Sequence, residues 1–115
     1  MYSETKELML LKRQLAHIVK HINSIVEMIN KPRTYYDIRV QMNALCGNAE
    51  YAQTLFTEWL RYESICRTNN FLTTPYLDKD TIDKLLLFRQ VLTKLDSKNL
   101  VEMLMFLDSH KNNRP

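Results

Sequence analysis

Apolar residues recur along the first thirty positions with a heptad rhythm. Leu8, Leu11, Leu15, Ile18, Ile22, Ile25 and Ile29 follow one another at steps alternating between three and four, and Val19 and Val26 widen the stripe. A repeat of about 3.5 residues is the seam of a long helix packed against another. Ser3, Glu4, Thr5 and Glu7 offer capping groups at its start. Asn30-Lys31-Pro32 ends it, because the residue before proline disfavours the α region. The pattern predicts a helix over about residues 5–30, roughly 38 Å long at 1.5 Å per residue.

A second seam follows Pro32-Arg33-Thr34, with Thr34 placed to cap it. Ile38, Met42, Leu45, Ala49, Ala52, Phe56 and Trp59 again alternate steps of four and three, which predicts a helix over about 35–66. Its middle is thin: Gly47, the one glycine of the chain, stands beside Ala49 and Ala52. Glycine costs up to about 1 kcal/mol relative to alanine inside a helix, so the expectation is a close backbone approach at residues 47–52. Residues 67–77, rich in Thr, Asn and Pro, read as a loop that packs through Phe71, Leu72, Tyr76 and Leu77. Two shorter helices are predicted over about 80–95 and 97–110, the second started by Asp96-Ser97. Met103 to Leu107 is apolar on every side, which calls for central burial or an interface. Residues 111–115 read as a frayed tail.

These elements predict one all-α domain over residues 1–115, a helical bundle built on a long antiparallel hairpin with two shorter helices. The last two helices are each about half as long as the hairpin and broadly apolar. Self-association, as a homodimer or higher, is therefore expected.

Composition narrows the classes. The chain has 115 residues, one Gly and three Pro, too few for the turns of an all-β fold or the glycine loops that cradle phosphates. The charged N-terminal stretch lacks the apolar core of a secretory leader, and no apolar run is long enough to span a bilayer. Two cysteines twenty positions apart, Cys46 and Cys66, suit a reducing compartment. A cytoplasmic protein without a membrane segment is expected. Net charge is +3, which permits an acidic partner without requiring one.

Candidate chemistry is sparse. His17 and His21 stand four apart on one helical face, the spacing that places two imidazoles on one metal ion. No carboxylate accompanies them, so they read as a solvated flank beside Ile18 and Ile22. Cys46 and Cys66 have no neighbouring His or second thiol and read as small buried apolar residues. No catalytic residue, metal site, cofactor or small-molecule substrate is expected. Lys12, Arg13, Lys20, Arg33 and Arg39 stand off the two seams and could hold phosphates if brought together.

Residues 11–61 resemble the copper-sensing and formaldehyde-sensing repressor family. The resemblance is carried by Leu15, Ile18, Ile22, Ile25, Met28 and Ile29, then by Arg33, Asp37, Ile38, Gln41, Met42 and Ala44, with Gly47 and Ala49 matching some members. Asp37-Ile38-Arg39-Val40-Gln41-Met42-Asn43-Ala44 falls where the family has Asp-Ile-x-x-Gln-Ile-x-Ala. The sensing ligands are absent: Tyr35 and Ser64 stand at the cysteine positions and Leu60 near the histidine position. The resemblance implies an oligomer of hairpins able to contact DNA, with metal sensing lost.

The functional expectation is a small non-enzymatic regulator or adaptor acting through apolar helix faces on a protein partner or on itself. Its anchors are expected at Phe56, Trp59, Met103, Met105 and Phe106, since aromatic and Met side chains suit such contacts. The alternative is a nucleic-acid-binding regulator using Lys12, Arg13, Lys20, Arg33 and Arg39.

Overall fold

A computed structural model describes residues 5–31, 33–73, 75 and 77–112, with side chains through Ser109. Among them every regular element is helical: α1 (Lys6–Asn30), α2 (Tyr35–Leu72), α3 (Lys79–Val91), a single 3-10 turn (Leu92–Lys94) and α4 (Ser97–Asn112). The all-α expectation holds. No helix of the described residues is long and apolar enough to cross a membrane.

Short polar side chains start these helices. Thr5 Oγ1 accepts from Leu8 N at 3.2 Å, Thr34 Oγ1 from Asp37 N at 3.2 Å, Asp78 Oδ1 from Thr81 N at 2.8 Å and Asp96 Oδ1 from Asn99 N at 2.9 Å. Each satisfies an amide that the first turn leaves without an intrahelical acceptor. The capping roles read for Ser3 and Glu4, the helix-ending role of Pro32 and the packing of Tyr76 lie outside the described residues, as do positions 113–115. α4 runs to Asn112, two residues into the stretch expected to fray.

The chain divides into two compact units, Met1–Phe56 and Thr57–Pro115, and α2 contributes to both. In the first, α1 and the opening turns of α2 form an antiparallel hairpin. Gln14 reaches Asn48 and His21 reaches Gln41, so numbers rise along one helix as they fall along the other.

The second unit holds the rest of α2 with α3 and α4. Phe71, Leu85 and Leu107 form a buried cluster with Leu72 and Leu77 packed against it, and Leu60, Phe88, Leu92 and Leu100 are also buried. The loop expected at 67–77 is corrected here, because α2 continues to Leu72. Leu60, Ser64, Thr68 and Phe71 recur at steps of four, four and three as one buried stripe. Burial of Phe71 and Thr68 on that stripe overrides the weak helix propensity of Thr and Asn. Arg67 also pairs with Asp108 of α4, and Arg89 of α3 donates to Asn69 at 3.0 Å.

α3 ends at Val91, short of the predicted Leu95. Arg61 donates from Nε to the Leu92 carbonyl at 3.2 Å and from Nη2 to the Leu95 carbonyl at 3.3 Å. A charged fork thereby accepts the role of a C-terminal cap for carbonyls that a helix end leaves unpaired. α4 is one-sided rather than buried all round. Leu100 and Leu107 are buried, Met103 and Leu104 half-buried, and Val101, Met105 and Phe106 exposed.

Candidate functional site

The hairpin packs on a seam different from the one its apolar pattern predicts. From Leu11 onward the buried and half-buried positions of α1 are Leu11, Gln14, Ile18, His21, Ile25 and Met28, with Leu8 of the predicted seam buried before them; over residues 38–55 of α2 they are Ile38, Gln41, Leu45, Asn48, Ala52 and Leu55. Both are heptad stripes. They share Leu11, Ile18 and Ile25, and Ile38, Leu45 and Ala52, with the predicted seams. At the alternate layers each helix is turned by one residue, so Gln14, His21 and Met28 replace Leu15, Ile22 and Ile29. On α2, Gln41 and Asn48 replace Met42 and Ala49, while Leu55 is buried beside half-buried Phe56.

Polar groups therefore lie between the helices, and they are paired. Gln14 Nε2 donates to the Asn48 carbonyl at 3.1 Å, Asn48 Nδ2 donates to His21 Nδ1 at 3.0 Å, and His21 Nε2 donates to Gln41 Oε1 at 3.0 Å. An amide nitrogen can only donate and an amide oxygen only accept, so this arrangement holds His21 as the neutral tautomer with its proton on Nε2. His21 belongs to the helix interface, which corrects its reading as a solvated flank. Its rings stand 6.4 Å from those of exposed His17, but both His21 nitrogens are already committed to amides.

Turning the seam leaves its apolar alternative outside. Leu15 is 48% exposed, Val19 57%, Ile22 43%, Val26 49% and Ile29 61%. Met42 is 45% exposed and Ala49 is exposed; Cys46 is exposed as well and Cys66 half-buried, which corrects the burial expected of the two cysteines. In an antiparallel pair, positions one step beyond the seam fall on the same side of both helices. Leu15, Ile22 and Ile29 therefore share a face with Met42 and Ala49. The result is an uncovered apolar face two helices wide, at strict heptad spacing, beside an interior seam that is polar at alternate layers.

The expected narrowing at residues 47–52 is not present as read. Nothing lies within 4 Å of a Cβ placed on Gly47, and Ala49 faces solvent; only Ala52 is buried. Small side chains do line a buried stripe, but at Ser64 and Thr68, both 0% exposed.

Phe56 and Trp59 are half-buried on α2, and Met103 is half-buried on α4, while Met105 and Phe106 are exposed. Phe56 falls in the first compact unit and the other four in the second. The basic residues are exposed but dispersed. Lys12 shares its heptad position with Val19 and Val26 and Arg39 shares its own with Cys46, at the edge of the exposed face, while Arg13 and Lys20 lie on the opposite flank of α1 and Arg33 precedes α2. The hairpin's own polar pairs carried a sequence signal, since Gln14 and His21, like Gln41 and Asn48, are seven residues apart and so share one stripe.

The class these features define is an all-α protein with an antiparallel hairpin that exposes an apolar flank. No protein-family model matches the chain, and neither a curated protein nor a solved structure matches it.

Proposed function

We propose that this chain is a non-enzymatic interaction protein that binds a protein partner through the hairpin face of Leu15, Val19, Ile22, Val26 and Ile29. One observation carries the reading: five branched apolar side chains, 43% to 61% exposed, follow the 3.5-residue repeat that packs against another helix. Scattered surface apolar residues need no explanation, but a contiguous apolar stripe of several hundred Å² marks a contact surface. This reading places the anchors on α1 in place of Phe56, Trp59, Met103, Met105 and Phe106. The dispersal of Lys12, Arg13, Lys20, Arg33 and Arg39 gives phosphate binding no single surface, so the nucleic-acid reading ranks below.

A photoreactive benzoyl-phenylalanine at Val26 tests this in the full chain. Irradiated in native extract, it should yield protein adducts, whereas the same probe at Lys20, turned away from the stripe, should yield few. Equal yields at the two positions, or adducts to nucleic acid, would overturn the reading.

A further inference from the structure

We infer that a second copy of this chain covers the hairpin face, α1 lying antiparallel on α1 about a two-fold axis at Ile22. This rests on the reading of the face as a protein contact and names its occupant.

A two-fold interface has to complement itself, because the same patch serves both copies. The stripe does so. Leu15-Val19-Ile22-Val26-Ile29 has larger side chains at its ends and centre with valine between, and reversing it preserves that order of sizes. Antiparallel pairing sets Leu15 of one copy against Ile29 of the other, Val19 against Val26, and Ile22 against itself. The steps of three and four around Ile22 put opposed layers in register to within one residue's rise, about 1.5 Å.

Area and the charges along α1 permit this pairing. Six side chains about half exposed, Met42 included, offer on the order of 500 Å² per copy, so their complete burial in two copies removes about 1,000 Å², the lower bound for a specific interface. Ala16, Asn23 and Asn30 line the outer flank of the stripe, with Lys12 its one charged residue. Lys12 stands ten positions from Ile22, which separates the two lysines of a pair by roughly 30 Å along the axis, beyond the screening length at physiological salt. Along α1 no like charges meet; on α2, exposed Arg39, one turn before Met42 and level with the axis by the His21–Gln41 pairing, is the basic residue of each copy that lies nearest the two-fold.

Sedimentation equilibrium of the full chain should give a concentration-dependent monomer–dimer equilibrium. Ile22→Glu should weaken it about 100-fold or more, since each dimer would bury two facing carboxylates. Its helical circular dichroism should match the parent, because Ile22 faces solvent in the single copy. Lys20→Glu should leave the equilibrium unchanged. In a Cys46→Ser background, Ile22→Cys should oxidise to a dimer whose cross-linked peptide joins residue 22 to residue 22. A parent that stays monomeric at the highest attainable concentration, a dimer indifferent to Ile22→Glu, or no residue-22 cross-link each overturns the inference. If the monomeric parent still gives protein adducts from the Val26 probe, the contact reading stands and only the second copy is removed.

Discussion

His21 sits among groups that each need a partner in the interior of the hairpin. Asn48 supplies a donor to one ring nitrogen and Gln41 an acceptor to the other. Burying such groups unpaired would cost about 1–3 kcal/mol each, whereas paired they cost little and fix the register of the two helices. That His21 rather than His17 enters the seam could be read only by noticing that Gln14, Gln41 and Asn48 repeat with it. Gly47 is the opposite case. The sequence made it look like a site of close approach, yet it faces open space in a helix interior. Gly47→Ala should then raise stability by about 0.5–1 kcal/mol, seen as a higher urea midpoint with an unchanged slope. A loss of stability would restore the close contact that the thin stretch suggests.

At the scale of the element, the question is which of two heptad stripes a helix buries. α1 carries both, and they share Leu11, Ile18 and Ile25. The apolar count favours Leu8, Leu15, Ile22 and Ile29 for the remaining layers; Leu8 is buried, but beyond it the structure gives those layers to Gln14, His21 and Met28. A direct contrast follows. In dilute solution, Ile25→Ala should cost about 2–4 kcal/mol, because Ile25 is 4% exposed and its removal leaves a cavity. Ile22→Ala under the same conditions should cost less than about 1 kcal/mol. Equal losses would mean that the predicted seam is the buried one. α2 teaches a related lesson at its far end. Thr68 and Phe71 looked like loop residues by type, yet their spacing from Leu60 and Ser64 continues one buried stripe, and the helix follows the stripe.

At the scale of the whole molecule, the exposed charge is mixed in sign and spread over several faces, and the uncovered feature is apolar. Association driven by such a face responds little to salt. Raising sodium chloride from low to moderate concentration should leave the dimerisation constant within about twofold, because screening acts on charges and not on apolar burial. Binding through several phosphate contacts would instead fall by orders of magnitude over a comparable range. Sedimentation at two salt concentrations separates the two, and a steep loss would return attention to Lys12, Arg13, Lys20, Arg33 and Arg39.

The sequence alone determined that the chain is all-α and that helices begin near residues 5, 35, 80 and 97. Heptad spacing, capping residues and the scarcity of glycine and proline are local properties that each helix expresses by itself. Which stripe of α1 and α2 turns inward was a tertiary decision. The two candidate seams differ by one residue, and choosing between them weighs apolar burial against hydrogen bonds that exist only once Gln14, His21, Gln41 and Asn48 are brought together across the hairpin. The length of α2 and the ending of α3 were decided in the same way. The burial of Thr68 and Phe71 and the reach of Arg61 to the carbonyls of Leu92 and Leu95 depend on residues distant in the chain, which no local pattern contains.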